Sequence, residues 1–171
     1  MRCWGVGKSV FSMKQILFFL CALLSCAVAG CDNYDEERIP LRNVRIEINT
    51  AEWSVYGVHG YMEWNTFIRN AVPQGFTWRS NEYSGFGGVL LVCGLEDQLL
   101  AYDLACPVEC QSNVRVHVDE AQGIAVCNLC GSTYDVFNGY GQPLSGAAKD
   151  AKYGLTSYRV IPSATGCVIT R

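Results

Sequence analysis

The chain reads as all-β, an antiparallel sandwich or barrel of eight or nine short strands. Three observations predict it. Beyond position 42 the apolar residues recur with a period of two rather than 3.6. Turn residues punctuate the apolar runs at close, regular spacing. The runs themselves are short and rich in strand-forming residues. Val44, Ile46 and Ile48 alternate with Arg45 and Glu47, which predicts a strand with one wet face. Residues 51–86 mix Trp53, Tyr56, Tyr61, Trp64, Phe67, Phe76 and Trp78 with Gly and Asn. Within that segment 64–71 reads as one or two helical turns, and the aromatic stripe reads as core packing. Strands follow at 88–94 and 98–104. Val114, Val116 and Val118 then alternate with Arg115 and His117, and further strands are expected at 123–127, 133–137, 156–161 and 166–170. Turn signals separate them at 96–97, 119–123, 138–139, 141–143 and 162–163. Asn138-Gly139 is a type I′ hairpin signal, since both residues tolerate positive φ.

The apolar N-terminus belongs to targeting, not to this core. Arg2, Lys8 and Lys14 form a positive lead, and 16–30 is an apolar run too short to cross a bilayer comfortably. It ends Val28-Ala29-Gly30-Cys31, which resembles a bacterial lipobox and implies cleavage before Cys31 with a diacylglycerol on its sulfur. The chain then divides into a signal peptide (1–30), a lipidated Cys31 with an acidic tether (31–42) and a β domain (43–171). The tether, Asp32-Asn-Tyr-Asp-Glu-Glu37, has no periodic apolar residues and reads as solvated. Acids directly after the lipidated cysteine also resemble the surface-export signal of Bacteroidetes lipoproteins. The expected location is the bacterial cell envelope, lipid-anchored, at the outer rather than the inner membrane.

Loss of Arg2, Lys8 and Lys14 with all sixteen acids retained takes the formal charge from −3 to −6. That balance argues against nucleic acid or anionic head groups as partners, since both require basic patches. The membrane is a partner through the lipid, and any redox or envelope protein partner is left open. Of ten cysteines, Cys3, Cys21 and Cys26 leave with the signal and Cys31 is lipidated. Cys93, Cys106, Cys110, Cys127, Cys130 and Cys167 remain, an even number that permits full disulfide pairing in an exported domain. Cys93 and Cys167 lie within strands and pair if those strands are neighbours. His59 and His117 read as surface residues. No Ser/His/Asp set or phosphate loop is visible, so no catalytic residues are assigned.

Two cysteine pairs, Cys106-Pro-Val-Glu-Cys110 and Cys127-Asn-Leu-Cys130, each follow a strand. Thiolates at i and i+3 or i+4 can bend onto one ion, and the interval 111–126 is long enough for a hairpin that brings both loops together. By spacing this approximates a zinc-ribbon site, and a disulfide framework stays open beside it. A thioredoxin-type role for Cys127-x-x-Cys130 is disfavoured, because the pair opens a β-turn and not a helix.

The flanks are more specific. Ala101-Tyr-Asp-Leu-Ala-Cys106-Pro107, then Cys127 and Gly131-Ser132-Thr133-Tyr134-Asp135, then Gly146 and the strand over 155–160 resemble the Rieske iron-sulfur domain, over about residues 86–161. The resemblance implies an antiparallel β-sandwich with a small loop subdomain carrying the cysteine pairs. It also implies a 2Fe-2S cluster, held in that family by Cys-x-His and Cys-x-x-His with both histidines on one iron. Cys106 and Cys127 match the cysteine ligands, Val108 stands at the first histidine and Cys130 at the second. Cys110 lies near a family cysteine that cross-links the loops, and it is available to replace the missing first ligand. Ser132 and Tyr134 match hydroxyls that hydrogen-bond to cluster sulfurs and raise the potential. The third loop lacks the family's proline at Gly146-Ala147.

Three occupants follow. They are a 2Fe-2S cluster on Cys106, Cys110, Cys127 and Cys130 at a ferredoxin-like potential, a single zinc or iron on four thiolates, or no metal and a disulfide across the loops. The n-region has no twin arginines, so the chain travels unfolded and must acquire a cluster outside the cytoplasm, which counts against iron-sulfur. The expected function is therefore a membrane-tethered module for electron transfer or metal binding. Its rival is a structural or interaction domain stapled by disulfides. Oxygenase activity is not expected, because it requires a second, large catalytic domain.

Overall fold

The computed structural model describes residues 33–171. The expected signal peptide and the lipidation site Cys31 lie outside the described residues. Among the described residues no helix is long and apolar enough to cross a membrane. In chain order the elements are β1 (Val44–Ile48), α1 (Thr50–Tyr56), β2 (Trp64–Phe67), β3 (Tyr83–Ser84), β4 (Val89–Cys93), β5 (Leu99–Asp103), β6 (Val116–Asp119), β7 (Ile124–Cys127), β8 (Thr133–Asp135), β9 (Gln142–Ser145), α2 (Gly146–Ala151), β10 (Ser157–Ser163) and β11 (Gly166–Thr170). A seven-stranded antiparallel sheet has the order β2-β4-β5-β10-β11-β1-β3, and a four-stranded sheet the order β6-β7-β8-β9. The fold is all-β, as predicted, and the second cysteine loop joins β7 to β8 within the smaller sheet.

Side-chain alternation assigns each strand to a core. On β4, buried along its whole length, Val89, Leu91 and Cys93 face one cluster while Leu90 and Val92 face another. The first cluster joins β1 (Val44, Ile46, Ile48), β2 (Phe67), β10 (Tyr158) and β11 (Ile169), so strands from both ends of the large sheet share one interior and the sheet curls around it. The second lies between that sheet and the small one, where Tyr102 and Leu104 meet Val116, Ala125, Tyr134 and Phe137. Cys106 and Cys127 belong to this second core, which anchors the bases of both cysteine loops.

Several expectations are corrected. Residues 64–67 form β2 and not a helical turn, pairing Trp64 with Val92 and Phe67 with Val89. A ladder along an apolar neighbouring strand outweighs one isolated turn, whose nucleation is costly. The helix lies earlier: α1 starts at a capping box in which Asn49 Oδ1 accepts from Ala51 N (3.0 Å) and Glu52 N (3.1 Å), while Glu52 accepts from Asn49 N (3.0 Å). The aromatic stripe is packing, as expected, with Phe67, Phe76, Trp78 and Tyr56 meeting edge to face at 5.1–5.4 Å. The positive φ values of the β8–β9 turn fall on Tyr140 and Gly141, not on Asn138-Gly139. Asp135 Oδ1 accepts from Phe137 N and Asn138 N and fixes the first half of the loop in another conformation.

The segment expected as a solvated tether is bound to the domain. Asp35 bridges Tyr153, Tyr34 donates to Gln142 (2.7 Å), Thr156 donates to the Glu36 carbonyl and Ile39 is buried. The Arg38 guanidinium lies 4.3 Å from the Tyr153 ring centroid. Cys93 and Cys167 do not pair, because β5 and β10 stand between β4 and β11 in the sheet.

Candidate metal centre

Both cysteine loops are closed by backbone hydrogen bonds at their bases. Cys106 N donates to Val114 O and Cys110 N to Cys106 O, each at 2.9 Å, so 106–114 folds back on itself at the end of β5. Cys127 N donates to Ser132 O and Gly131 N to Cys127 O, also at 2.9 Å, which tightens the turn between β7 and β8. Gly131 has φ +69°, a conformation that favours glycine there. Gly146 approaches from α2: an added Cβ would sit 2.9 Å from Ser132 Cα, so only glycine permits this contact.

These turns bring Cys106, Cys127 and Cys130 together, with all three sulfurs within 4.8 Å of one another. Cys106 and Cys130 are 3.6 Å apart. In a tetrahedral site with metal–sulfur bonds of about 2.3 Å, neighbouring sulfurs are about 3.8 Å apart, so the Cys106–Cys130 separation matches one edge of such a site. Cys106 and Cys127 are fully buried and Cys130 is half-buried.

Two hydroxyls face the sulfurs. Tyr134 OH is 3.6 Å from Cys106 Sγ, and Ser132 Oγ is 3.3 Å from Cys130 Sγ. Ser132 Oγ also accepts from Ala148 N (3.1 Å), which leaves its own hydrogen free to point at a Cys130 thiolate. Burial pushes the Cys106 thiol up to about 12. Burial acts the same way on Cys130, but its contacts with Ser132 and the neighbouring thiols outweigh it and lower this thiol below its ordinary value. Burial also raises Tyr134, which stays a phenol and a donor. Cys130 is thus the thiol of this pair that ionises first.

The fourth expected ligand is not in the group. Cys110 has φ +52°, and its thiol donates to Pro107 O at 3.1 Å and to Arg38 O at 3.5 Å. The physical reason is the docked N-terminal segment, which presents a carbonyl to this sulfur. No disulfide forms among the six described cysteines, so the staple weighed as the alternative occupant is absent from them. The 3.6 Å between Cys106 and Cys130 is a contact well beyond a bond of about 2.05 Å. His59 and His117 are exposed and outside the site, as expected.

Among the described residues the grouped sulfurs are three, not the four-ligand set expected for a 2Fe-2S cluster. That group takes four ligands in two pairs, one pair at each end. Here three sulfurs share one triangle, an aliphatic Val108 stands where the sequence resemblance places the first histidine, and no fourth His, Cys, Asp or Glu joins them among the described residues. The donor set suits one thiophilic ion. Ser132 and Tyr134 were legible in Gly-Ser-x-Tyr-Asp. The contributions of Ala148 and Arg38 were not, because each acts through a backbone group that carries no sequence signal.

No protein-family model and no curated protein matches the chain. Among solved structures it is similar to a chain of the complex of reduced oxygenase and oxidized ferredoxin in carbazole 1,9a-dioxygenase, with a TM-score of 0.42 and 13% identity, over 75% of this chain and 94% of that one.

Proposed function

We propose that this protein is a metal-binding module that takes one soft divalent cation, zinc or iron, on the thiolates of Cys106, Cys127 and Cys130. The observation that carries the reading is the trio of sulfurs within 4.8 Å, two of them facing hydroxyls. Thiolate sulfur selects such ions, and hydroxyl donors at the sulfurs offset the negative charge that three thiolates bring to one centre. An iron occupant extends the reading to electron transfer, and the Ser132 and Tyr134 contacts favour it, since hydrogen bonds to the sulfurs tune the potential of iron–thiolate centres. The anchoring belongs to the same proposal: a lipid on Cys31 holds the module at the bacterial envelope, preferentially at the outer membrane.

The test is metal analysis of the full-length chain, extracted in detergent without oxygen, together with acid-labile sulfide, thiol count and visible spectrum. One zinc or iron per chain without sulfide is expected. A metal-free protein, or two irons with two sulfides, contradicts the reading. For the anchor, Cys31→Ala should move the protein from the detergent phase to the aqueous phase on partition. An unchanged distribution refutes lipidation.

A further inference from the structure

We infer that the metal centre holds its ion by three protein thiolates and leaves the fourth coordination position open to an exchangeable ligand from outside the chain. The inference rests on the metal-binding reading above and adds a property to it: structural thiolate sites are closed by four protein ligands, whereas sites that exchange a ligand keep one position free.

Three observations carry it. First, among the described residues no fourth His, Cys, Asp or Glu atom joins Cys106, Cys127 and Cys130. The sequence offers Cys110 for that position, and the structure diverts it, with its sulfur on the Pro107 and Arg38 carbonyls. Arg38 is itself fixed, since its guanidinium lies over the Tyr153 ring and Ile39 beside it is buried.

Second, among the described residues the inner side of the trio is apolar core. Cys106 and Cys127 belong to the core between the sheets, with Val108, Val114 and Ile68 packed against it. The nearby hydroxyls of Tyr134 and Ser132 already face sulfur.

Third, the trio reaches solvent on one side. Cys130 is half-buried, and its neighbour Leu129 is 64% exposed. A fourth ligand therefore enters beside Cys130 and must be small: water on the ion alone, displaced by a stronger monodentate donor such as an imidazole or a thiolate. Binding a divalent ion releases the protons of those of the three groups that are still thiols and leaves a centre of net charge −1. A neutral imidazole then adds without further charge.

The experiment uses the full-length chain in detergent, reduced, stripped of metal and loaded with Co2+ alone. Sulfur-to-cobalt charge-transfer intensity counts the thiolates, and the d–d bands report the fourth ligand. The expected result is three thiolates' intensity, unchanged in Cys110→Ser and lowered by one thiolate's share in Cys130→Ser. Added imidazole should shift the d–d bands of the wild-type protein while the charge-transfer intensity stays the same. Cys130 lies on a half-exposed turn, and the imidazole arm needs no variant, so misfolding of a variant does not decide the outcome. Four thiolates' intensity that falls in Cys110→Ser overturns the open site and leaves metal binding standing. Three thiolates with no response to imidazole also overturns it. If no cobalt binds, both readings fail.

Discussion

Tyr134 is buried beside Ala125 and Pro143 in the small sheet, and its hydroxyl meets the Cys106 sulfur. Tyr134→Phe keeps the ring and removes that contact. It should weaken zinc binding by about 10- to 100-fold, the usual effect of losing a group that orients a metal ligand, while the metal-free melting temperature changes little. Competition with a chelator measures the first and calorimetry the second. An equal affinity would mean that the hydroxyl does not support the site. A second residue, Cys167, gives a pH prediction away from the metal. Burial alone lifts its thiol from the usual 9.0 to about 12. The folded chain thus keeps a proton that the unfolded chain releases, and the associated stability is complete below pH 9 and is lost as pH rises towards 12. Metal-free protein should melt at progressively lower temperature above pH 9, and Cys167→Ala should flatten that decline. A decline of identical slope would remove Cys167 as its cause. At this scale the sequence pointed to Cys106, Cys127 and both hydroxyls, which the fold brings together, because each stands in a short recognisable pattern. The diversion of Cys110 was illegible, since its partner Arg38 lies 72 residues away and contributes only a carbonyl.

The elements that present the loops depend on one buried carboxylate at the end of β5. Asp103 accepts from Gly87 N (2.9 Å), Ala105 N (2.7 Å), Phe86 N (2.8 Å) and Tyr158 OH (2.5 Å), tying the approach to β4 and strand β10 to the residue just before Cys106. Burial raises its carboxyl above the ordinary value, and these four donors pull it back. Asp103→Ala leaves all four unpaired in a dry environment, which should cost at least about 3 kcal/mol in chemical denaturation. A loss under about 1 kcal/mol would show that water replaces the carboxylate freely. The strands themselves were legible wherever alternation or a β-rich run was long enough, as in β1, β4, β5, β6 and β11. β2 was not, because its aromatic-rich segment suits a turn of helix as well as a strand until β4 is known to lie beside it. Helix α1 carried a readable signal, Asn49 followed three residues later by Glu52, which the aromatic stripe obscured. β3 and β9 are short edge strands whose pairing, and not their composition, defines them.

For the whole molecule, two cores divided by one sheet explain why the cysteine loops hold their shape. Their bases belong to the inter-sheet core, and Cys110 of the first loop meets the docked segment at the Arg38 carbonyl. Removal of 33–42 should therefore speed alkylation of Cys110 several-fold without altering metal stoichiometry, as peptide mass mapping of iodoacetamide adducts would show. An unchanged rate would mean that Arg38 does not shield this thiol. The segment's docking was hidden in the sequence because its acidic residues bind largely through backbone groups, which composition does not reveal. The central claim, one ion on three thiolates, is tested most directly by X-ray absorption at the metal edge of the isolated full-length protein. The account predicts a shell of three sulfurs at about 2.3 Å with one lighter ligand, and no metal–metal path. Four sulfurs, or a second metal in the first few ångströms, would contradict it.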